Sequence, residues 1–325
     1  MPVLVTGVAG FIGYHLADAL LTAAVPVIGV DNLNDYYDPA LKRARLERLQ
    51  QRPGFDFRRL DIADRPAVAA LFADFPGIRR VAHLAAQAGV RYSLQNPLAY
   101  VRSNIEGHVV LLEEARRLPA LEHFVYASSS SVYGGNEKRP FAETDRTDCP
   151  VSLYGASKKA METVSQSYAA MYRMPLTGLR FFTVYGPWGR PDMAVWIFTR
   201  KIIAGEPLPI FNHGRQRRDF TYIDDIVRGI TACLDLGPDA GAAVPHRLFN
   251  LGNNRPSGVL DLVHLLEDAI GIKAVLDYQP HQLGDVTDTH ADIDRAAALL
   301  GFAPSTRLDE GIPAFVRWYR RYHAG

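Results

Sequence analysis

A glycine turn, Gly7-Val8-Ala9-Gly10-Phe11-Ile12-Gly13, separates the short β-branched run Val3-Leu4-Val5 from a helical pattern over Phe11 to Ala23. From there the chain keeps alternating. Apolar strand-like runs at Val25 to Val30, Phe55 to Leu60, Val81 to Leu84, His123 to Ala127 and Leu176 to Phe182 are separated by helical spacing at Pro39 to Leu49, Arg65 to Phe75, Pro97 to Arg117 and Tyr154 to Tyr172. Strands alternating with helices imply right-handed βαβ units, hence a parallel sheet covered on both faces. The fold class read from this rhythm is α/β, a doubly wound, Rossmann-like parallel sheet. After Phe182 the rhythm breaks into Pro and Gly punctuation, with a further helix at Asp224 to Leu234 and a run at Arg247 to Leu251 that can rejoin the sheet. The expected division is a nucleotide-binding part, 1–182 plus about 222–252, and a smaller C-terminal substrate-binding lobe, about 183–221 plus 253–325.

Composition narrows the partners. The 325 residues carry 36 Lys and Arg against 35 Asp and Glu, a net charge of +1, so nothing marks a nucleic-acid or anionic-membrane surface. No apolar run reaches the ~18 residues of a membrane helix. The first basic residue is Lys42, so the charged start of a signal peptide is missing, and two cysteines, Cys149 and Cys233, suit a reducing compartment. The reading is cytoplasmic. His83 lacks HExxH or Cys/His company and reads as a core histidine, with no metal site; Trp196, Phe198 and Ile202 have core spacing.

The three glycines permit a tight turn, close approach of a pyrophosphate to a helix N-terminus, and packing of helix on strand. Asp31, ending the second strand, can accept from ribose hydroxyls and repel a 2′-phosphate, which favours NAD over NADP, although Lys42 and Arg43 follow soon after. Tyr154 and Lys158 lie four residues apart, on one helix face, where an ammonium can draw a phenol's pKa down from ~10 and make it a usable base. Ser128-Ser129-Ser130-Ser131 ends the fifth strand at the same sheet edge and offers hydroxyl donors.

On these motifs the chain resembles the extended short-chain dehydrogenase/reductase family over essentially its whole length. Within it, Asp31 to Asp38, Ala88 to Ser93, Gly189 to Ala194 and Arg218 to Asp225 look like segments of the UDP-glucuronate 4-epimerases. The resemblance implies an isomerase that holds NAD throughout turnover, binds a UDP-sugar (UDP-glucuronate or UDP-galacturonate) and inverts C4 through a transient 4-keto sugar. It also implies a homodimer built on the 97–117 and 154–172 helices. Carried over by position, Gly7, Gly10, Phe11, Ile12 and Gly13 belong to the pyrophosphate loop, Asp31 and Asn32 to the adenosine ribose, Asp61 and Ile62 to the adenine pocket, Leu84, Ala85 and Ala86 to the cofactor wall, and Asn104 to the helix beyond it. Ser129, Tyr154 and Lys158 are the catalytic set, with Tyr154 and Lys158 also touching cofactor. Arg91, Ser128, Ser129, Ser130, Tyr154, Thr183, Arg190, Pro209, Ile210, Phe211, Arg218 and Asp285 are the substrate set, Arg190 being the best-placed cation for a sugar carboxylate. Related decarboxylases carry Ser-Glu-Val-Tyr-Gly where Ser130-Ser131-Val132-Tyr133-Gly134 stands here, and Leu283 departs from the family's usual Pro. The competing readings are a UDP-glucuronate decarboxylase, a neutral UDP-hexose 4-epimerase, and an NAD-sensing interaction protein without catalysis.

Overall fold

Strand β1 (Val3–Thr6) is wholly buried and pairs in parallel with β2 (Val27–Asp31) on one side and β4 (Arg80–His83) on the other. The computed structural model describes residues 1–239, 241–280 and 286–324. With β3 (Phe55–Arg59), β5 (His123–Ser129), β6 (Leu176–Phe181) and β7 (His246–Leu251), these strands form a parallel sheet in the order β7-β6-β5-β4-β1-β2-β3. The order in which successive strands are added reverses between β1 and β4, β2 and β3 lying to one side and β4 to β7 to the other. That switch opens a crevice beyond the carboxyl ends of the two strands, where doubly wound sheets take their ligands.

Alternate residues supply opposite faces, as strand geometry requires. Val3, Val5, Val125 and Leu179 join α1 (Phe11–Thr22) and the helix Ile223–Asp235 in one core, while Leu4, Ile28, Phe124 and Tyr126 join α3 (Arg65–Asp74) and α5 (Leu153–Tyr172) in another. Helix α2 (Pro39–Gln50) follows β2. The expected helix over 97–117 is interrupted. Pro97–Tyr100 and Gly107–Ala115, here together α4, are α-helical, but Val101–Glu106 between them is a π-helical turn. Such a turn inserts a residue into the spacing and redirects the side chains after it.

A third apolar cluster is assembled from distant stretches. Tyr185, Trp196, Phe198, Ile202, Ile210 and Phe220 meet Leu262 and Leu266 of the helix Val259–Ile270, and Ile312, Phe315 and Trp318 of the helix Leu308–Ala324. The short strand Thr183–Tyr185, pairing with Phe220–Tyr222, carries the chain out of the sheet toward this cluster. Two acids of the Arg218 to Asp225 segment hold the join. Asp219 accepts the backbone amides of Asn253, Asn254 and Ala291, and Asp225 those of Ser305 and Thr306. Among the described residues no helix is long and apolar enough to cross a membrane, and no group of acidic, His and Cys side chains could hold a metal ion.

Candidate active site

The glycine turn sits at the crevice, and its spacing has a steric cause at each position. Gly7 has φ +71°, and a Cβ there would lie 2.7 Å from the Ala85 amide nitrogen at the end of β4. A Cβ on Gly13 would fall 2.1 Å from the Gly7 carbonyl oxygen, so α1 can rest against the turn only without one. The cap of α1 is Gly10, which offers no side chain, leaving first-turn amides facing the cavity with no intrahelical acceptor. An exposed helix N-terminus with no side chain in front of it fits a diphosphate.

One cavity is lined by Gly7, Gly10, Phe11, Ile12 and Gly13, by Asp31 and Asn32, by Leu84, Ala85 and Ala86, and by Ser128, Ser129, Tyr154, Lys158 and Arg190. Ile62 and Leu60 line it too. Asp61, by contrast, is turned to its own loop, accepting the Ala63 amide at 3.0 Å. Asp31 accepts from the Ala9 amide at 3.1 Å and the Leu33 amide at 2.8 Å, tying the glycine turn to the end of β2. Lys42 folds back into the same wall, its ammonium on the carbonyl and side-chain oxygens of Asn34, and burial lowers its pKa.

Asn104 stands behind the wall. Aimed by the π turn, it accepts the Gln87 amide at 2.8 Å and donates to the Gln87 carbonyl and to Ser157 Oγ on α5. Ser103 lines the cavity instead. His83 is buried, with Nδ1 2.8 Å from Thr6 Oγ1 and its ring stacked on His108, and burial drives its pKa well down.

The parity of β5 separates the serines. Ser128 faces α5 and donates to Glu162 at 2.6 Å, so its hydroxyl is engaged away from the opening. Ser129, on the opposite face, lines the cavity beside Tyr154, whose pKa it lowers, and its hydroxyl donates to Ser131 Oγ at 3.2 Å. Ser130 begins the short 3-10 turn that follows and is not on the cavity wall. Lys158 donates to the Ala127 carbonyl at 2.7 Å, and burial lowers its pKa to about 7, opposed by the charge of Glu162. The expectation that Lys158 draws the Tyr154 pKa down is not met in the free chain. Burial raises the phenol, against a smaller lowering by Ser129 and by the positive charge of Arg190.

Arg190 reaches the cavity already paired, its Nε and Nη2 on the Asp192 carboxylate, which also accepts the Tyr36 hydroxyl at 2.9 Å. Thr183 lies in a smaller adjoining crevice that shares Val184, Arg190 and Met193 with the main one. The remaining substrate candidates gather less tightly. The Arg91 guanidinium lies 5.0 Å from the Phe211 ring centroid, joining the 88–93 loop to the 208–211 segment. Ile210 is buried in the third cluster beside Pro209, and Arg218 donates to the carbonyls of Arg217 and Thr287. Asp285 lies outside the described residues.

Sequence reasoning passed over two features. Neither Tyr36, whose plain reading is a packing aromatic, nor Asp192 stands among the expected site residues, and neither does the buried Glu162–Arg180 pair, 2.8 Å apart behind Lys158. An arginine inside the apolar Leu176 to Phe182 run was its available signal, since a charge on a central strand needs a buried partner.

Residues 3–252 match the model of the NAD dependent epimerase/dehydratase family. The chain is 51% identical over 336 residues to UDP-glucuronate 4-epimerase 4 of Arabidopsis thaliana, across 99% of this chain and 76% of that protein. The solved structure of UDP-glucuronic acid 4-epimerase from Bacillus cereus, in complex with UDP-glucuronic acid and NAD, is similar with a TM-score of 0.92 at 35% identity, covering 99% of this chain and 100% of that one. UDP-glucose 4-epimerase from Thermotoga maritima, with UDP-glucose, gives 0.89 at 33% identity, covering 99% and 100%. The parallel sheet, the glycine turn at its switch point and these likenesses agree, and the chain belongs to the NAD dependent epimerase/dehydratase family.

Proposed function

We propose that this protein is a UDP-glucuronate 4-epimerase that interconverts UDP-glucuronate and UDP-galacturonate with a tightly held NAD. The observation that carries the reading is one cavity lined both by the glycine turn and Asp31 and by Ser129, Tyr154, Lys158 and Arg190. The half-identical plant epimerase supports the choice of sugar. Residues 1–182 with about 222–252 take the dinucleotide, and about 183–221 with 253–325 the UDP-sugar. Exposed Leu94, Leu98 and Val101 form a stripe leading into and along the start of α4, and support pairing of two copies through α4 and α5. The protein works in the cytoplasm, in keeping with free thiols at Cys149 and Cys233.

A carbinol C–H is not acidic, so inversion at C4 needs transient oxidation. When bound, NAD would supply the hydride acceptor and later the donor. Tyr154 takes the 4-hydroxyl proton and returns it, Ser129 hydrogen-bonds the reacting oxygen, and Lys158 holds the ribose side of the site. The 4-keto uronic acid is a β-keto acid, so the cavity must also keep the C5 carboxylate out of line with the carbonyl π system.

The test is turnover of UDP-glucuronate by purified protein with no nucleotide added, with products resolved as UDP-galacturonate and UDP-pentose. The expected product is UDP-galacturonate. Release of free NADH with product, a UDP-pentose product, or turnover confined to neutral UDP-hexoses would overturn the reading. Ser129→Ala is expected to lower kcat roughly 10²–10³-fold, as loss of one oxyanion donor does. Ser128→Ala should act on thermal stability instead; a larger kcat loss from Ser128→Ala would reverse the two assignments.

Arg190→Ala tests the carboxylate site. The variant leaves Asp192 with the Tyr36 hydroxyl but without its cation, facing a substrate that is itself an anion. Transition-state binding is expected to weaken by about 2–5 kcal/mol, with UDP affinity nearly unchanged, and some flux should divert to CO2 and UDP-pentose. Equal losses for UDP and UDP-glucuronate, with products unaltered, would move Arg190 out of the sugar pocket.

A further inference from the structure

Arg45, on α2, is fully buried, and its guanidinium joins three segments distant in sequence. Nη1 donates to the Ala9 carbonyl, inside the glycine turn, at 2.9 Å and to the Tyr37 hydroxyl at 2.7 Å. Nη2 donates to the carbonyls of Trp188 at 2.6 Å and Gly189 at 3.1 Å. All four acceptors are uncharged oxygens. Trp188 has φ +60°, a left-handed conformation that a tryptophan keeps only where its surroundings hold it. Two of the Arg45 hydrogen bonds fall on this residue and the next. A second tie runs in parallel, the Tyr36 hydroxyl on Asp192 at 2.9 Å. The loop after β2 and the loop before Asp192 are therefore fastened to each other, and Arg45 fastens both to the turn whose shape fits a diphosphate. Both loops supply walls of the cavity.

We infer that Arg45 is a positioning residue that retains the dinucleotide between turnovers, by locking the two loops across the cavity. The inference rests on the reading of the cavity as an NAD site. Arg45 is not among the side chains that act at C4, Ser129, Tyr154 and Lys158, so its loss should show in cofactor retention rather than in the chemical step.

The experiment measures escape of NAD from purified protein. Parent, Arg45→Met, Arg45→Lys and Tyr36→Phe are freed of unbound nucleotide, then incubated with an NAD glycohydrolase that destroys only what has dissociated. NAD still bound is released by denaturation and counted. The parent should hold its NAD. Arg45→Met should lose it about tenfold faster or more, since several charge-assisted hydrogen bonds are removed. Arg45→Lys, which keeps the charge without the fork, should fall between, and Tyr36→Phe should lose NAD several-fold faster. With saturating NAD, kcat of Arg45→Met should return to near the parent value, so that the change appears as a raised KM for NAD. If Arg45→Met does not fold, Arg45→Lys and Tyr36→Phe decide. Unaltered escape from the folded variants overturns the inference, as does a kcat loss that NAD fails to restore. A parent that carries no NAD, and binds none when it is supplied, fails earlier, and overturns the cavity reading itself.

Discussion

Tyr154→Phe is expected to reduce turnover of UDP-glucuronate by roughly 10²–10⁴-fold, the range that a positioned proton-transfer group supplies, while NAD content and UDP affinity stay at the parent values. The phenol oxygen is the atom at stake. It lies in the cavity against Ser129, and the substitution removes it without altering the ring that packs at 6.1 Å from Tyr100. Ser129 remains as a donor, but a neutral serine hydroxyl is a poor proton acceptor near neutral pH. Burial raises the Tyr154 pKa, so a base near neutral pH needs a further cation, which oxidised NAD would supply; titration of the phenol should show NAD-loaded protein ionising at lower pH than protein stripped of NAD. Activity of the variant within tenfold of the parent would sink the assignment of the base.

Glu162→Ala should be the most destabilising of the substitutions considered, by about 3–5 kcal/mol, because it strands a buried guanidinium. Glu162 and Arg180 are both buried, and two hydrogen bonds of 2.8 and 2.9 Å join them, with Ser128 donating to the same carboxylate. Against a usual total of about 5–15 kcal/mol, that loss threatens the native state at physiological temperature. Chemical denaturation of Glu162→Ala beside the parent would measure it. A loss under about 1 kcal/mol would mean that Arg180 finds adequate partners in Tyr133 Oη and the Glu143 carbonyl, which it already reaches at 2.9 and 3.3 Å.

The sheet was legible because short apolar runs, such as Val3 to Val5 and Val27 to Val30, recur between stretches long enough for crossover helices; β7, detached from the main alternation by more than sixty residues, still read as a strand and does rejoin beside β6. The glycine turn was legible for a steric reason, since each of its three glycines excludes a Cβ. Ser129 was narrowed to three residues by resemblance. The strand period could have singled it out, because Ala127 and Ser129 share one face of β5 while Tyr126 and Ser128 share the other. The π turn was not legible: a single inserted residue leaves the apolar pattern nearly intact while rotating Asn104 toward Gln87. Pairings across long separations, such as Tyr36 with Asp192 or Arg45 with Trp188, depend on where the loops are carried by the sheet. No local spacing encodes them.

The third cluster has a consequence for how the chain is made. Trp196, Phe198 and Ile202 are synthesised more than a hundred residues before Phe315 and Trp318, the side chains that cover them. A ribosome delivering residues in order therefore leaves an aromatic face uncovered until the helix Leu308–Ala324 emerges, and exposed surface of this kind is what chaperones bind and what aggregates. A message truncated before Leu308 would not yield a slightly shortened enzyme. It would yield a chain with an intact sheet and an open apolar flank, fated for degradation or inclusion bodies.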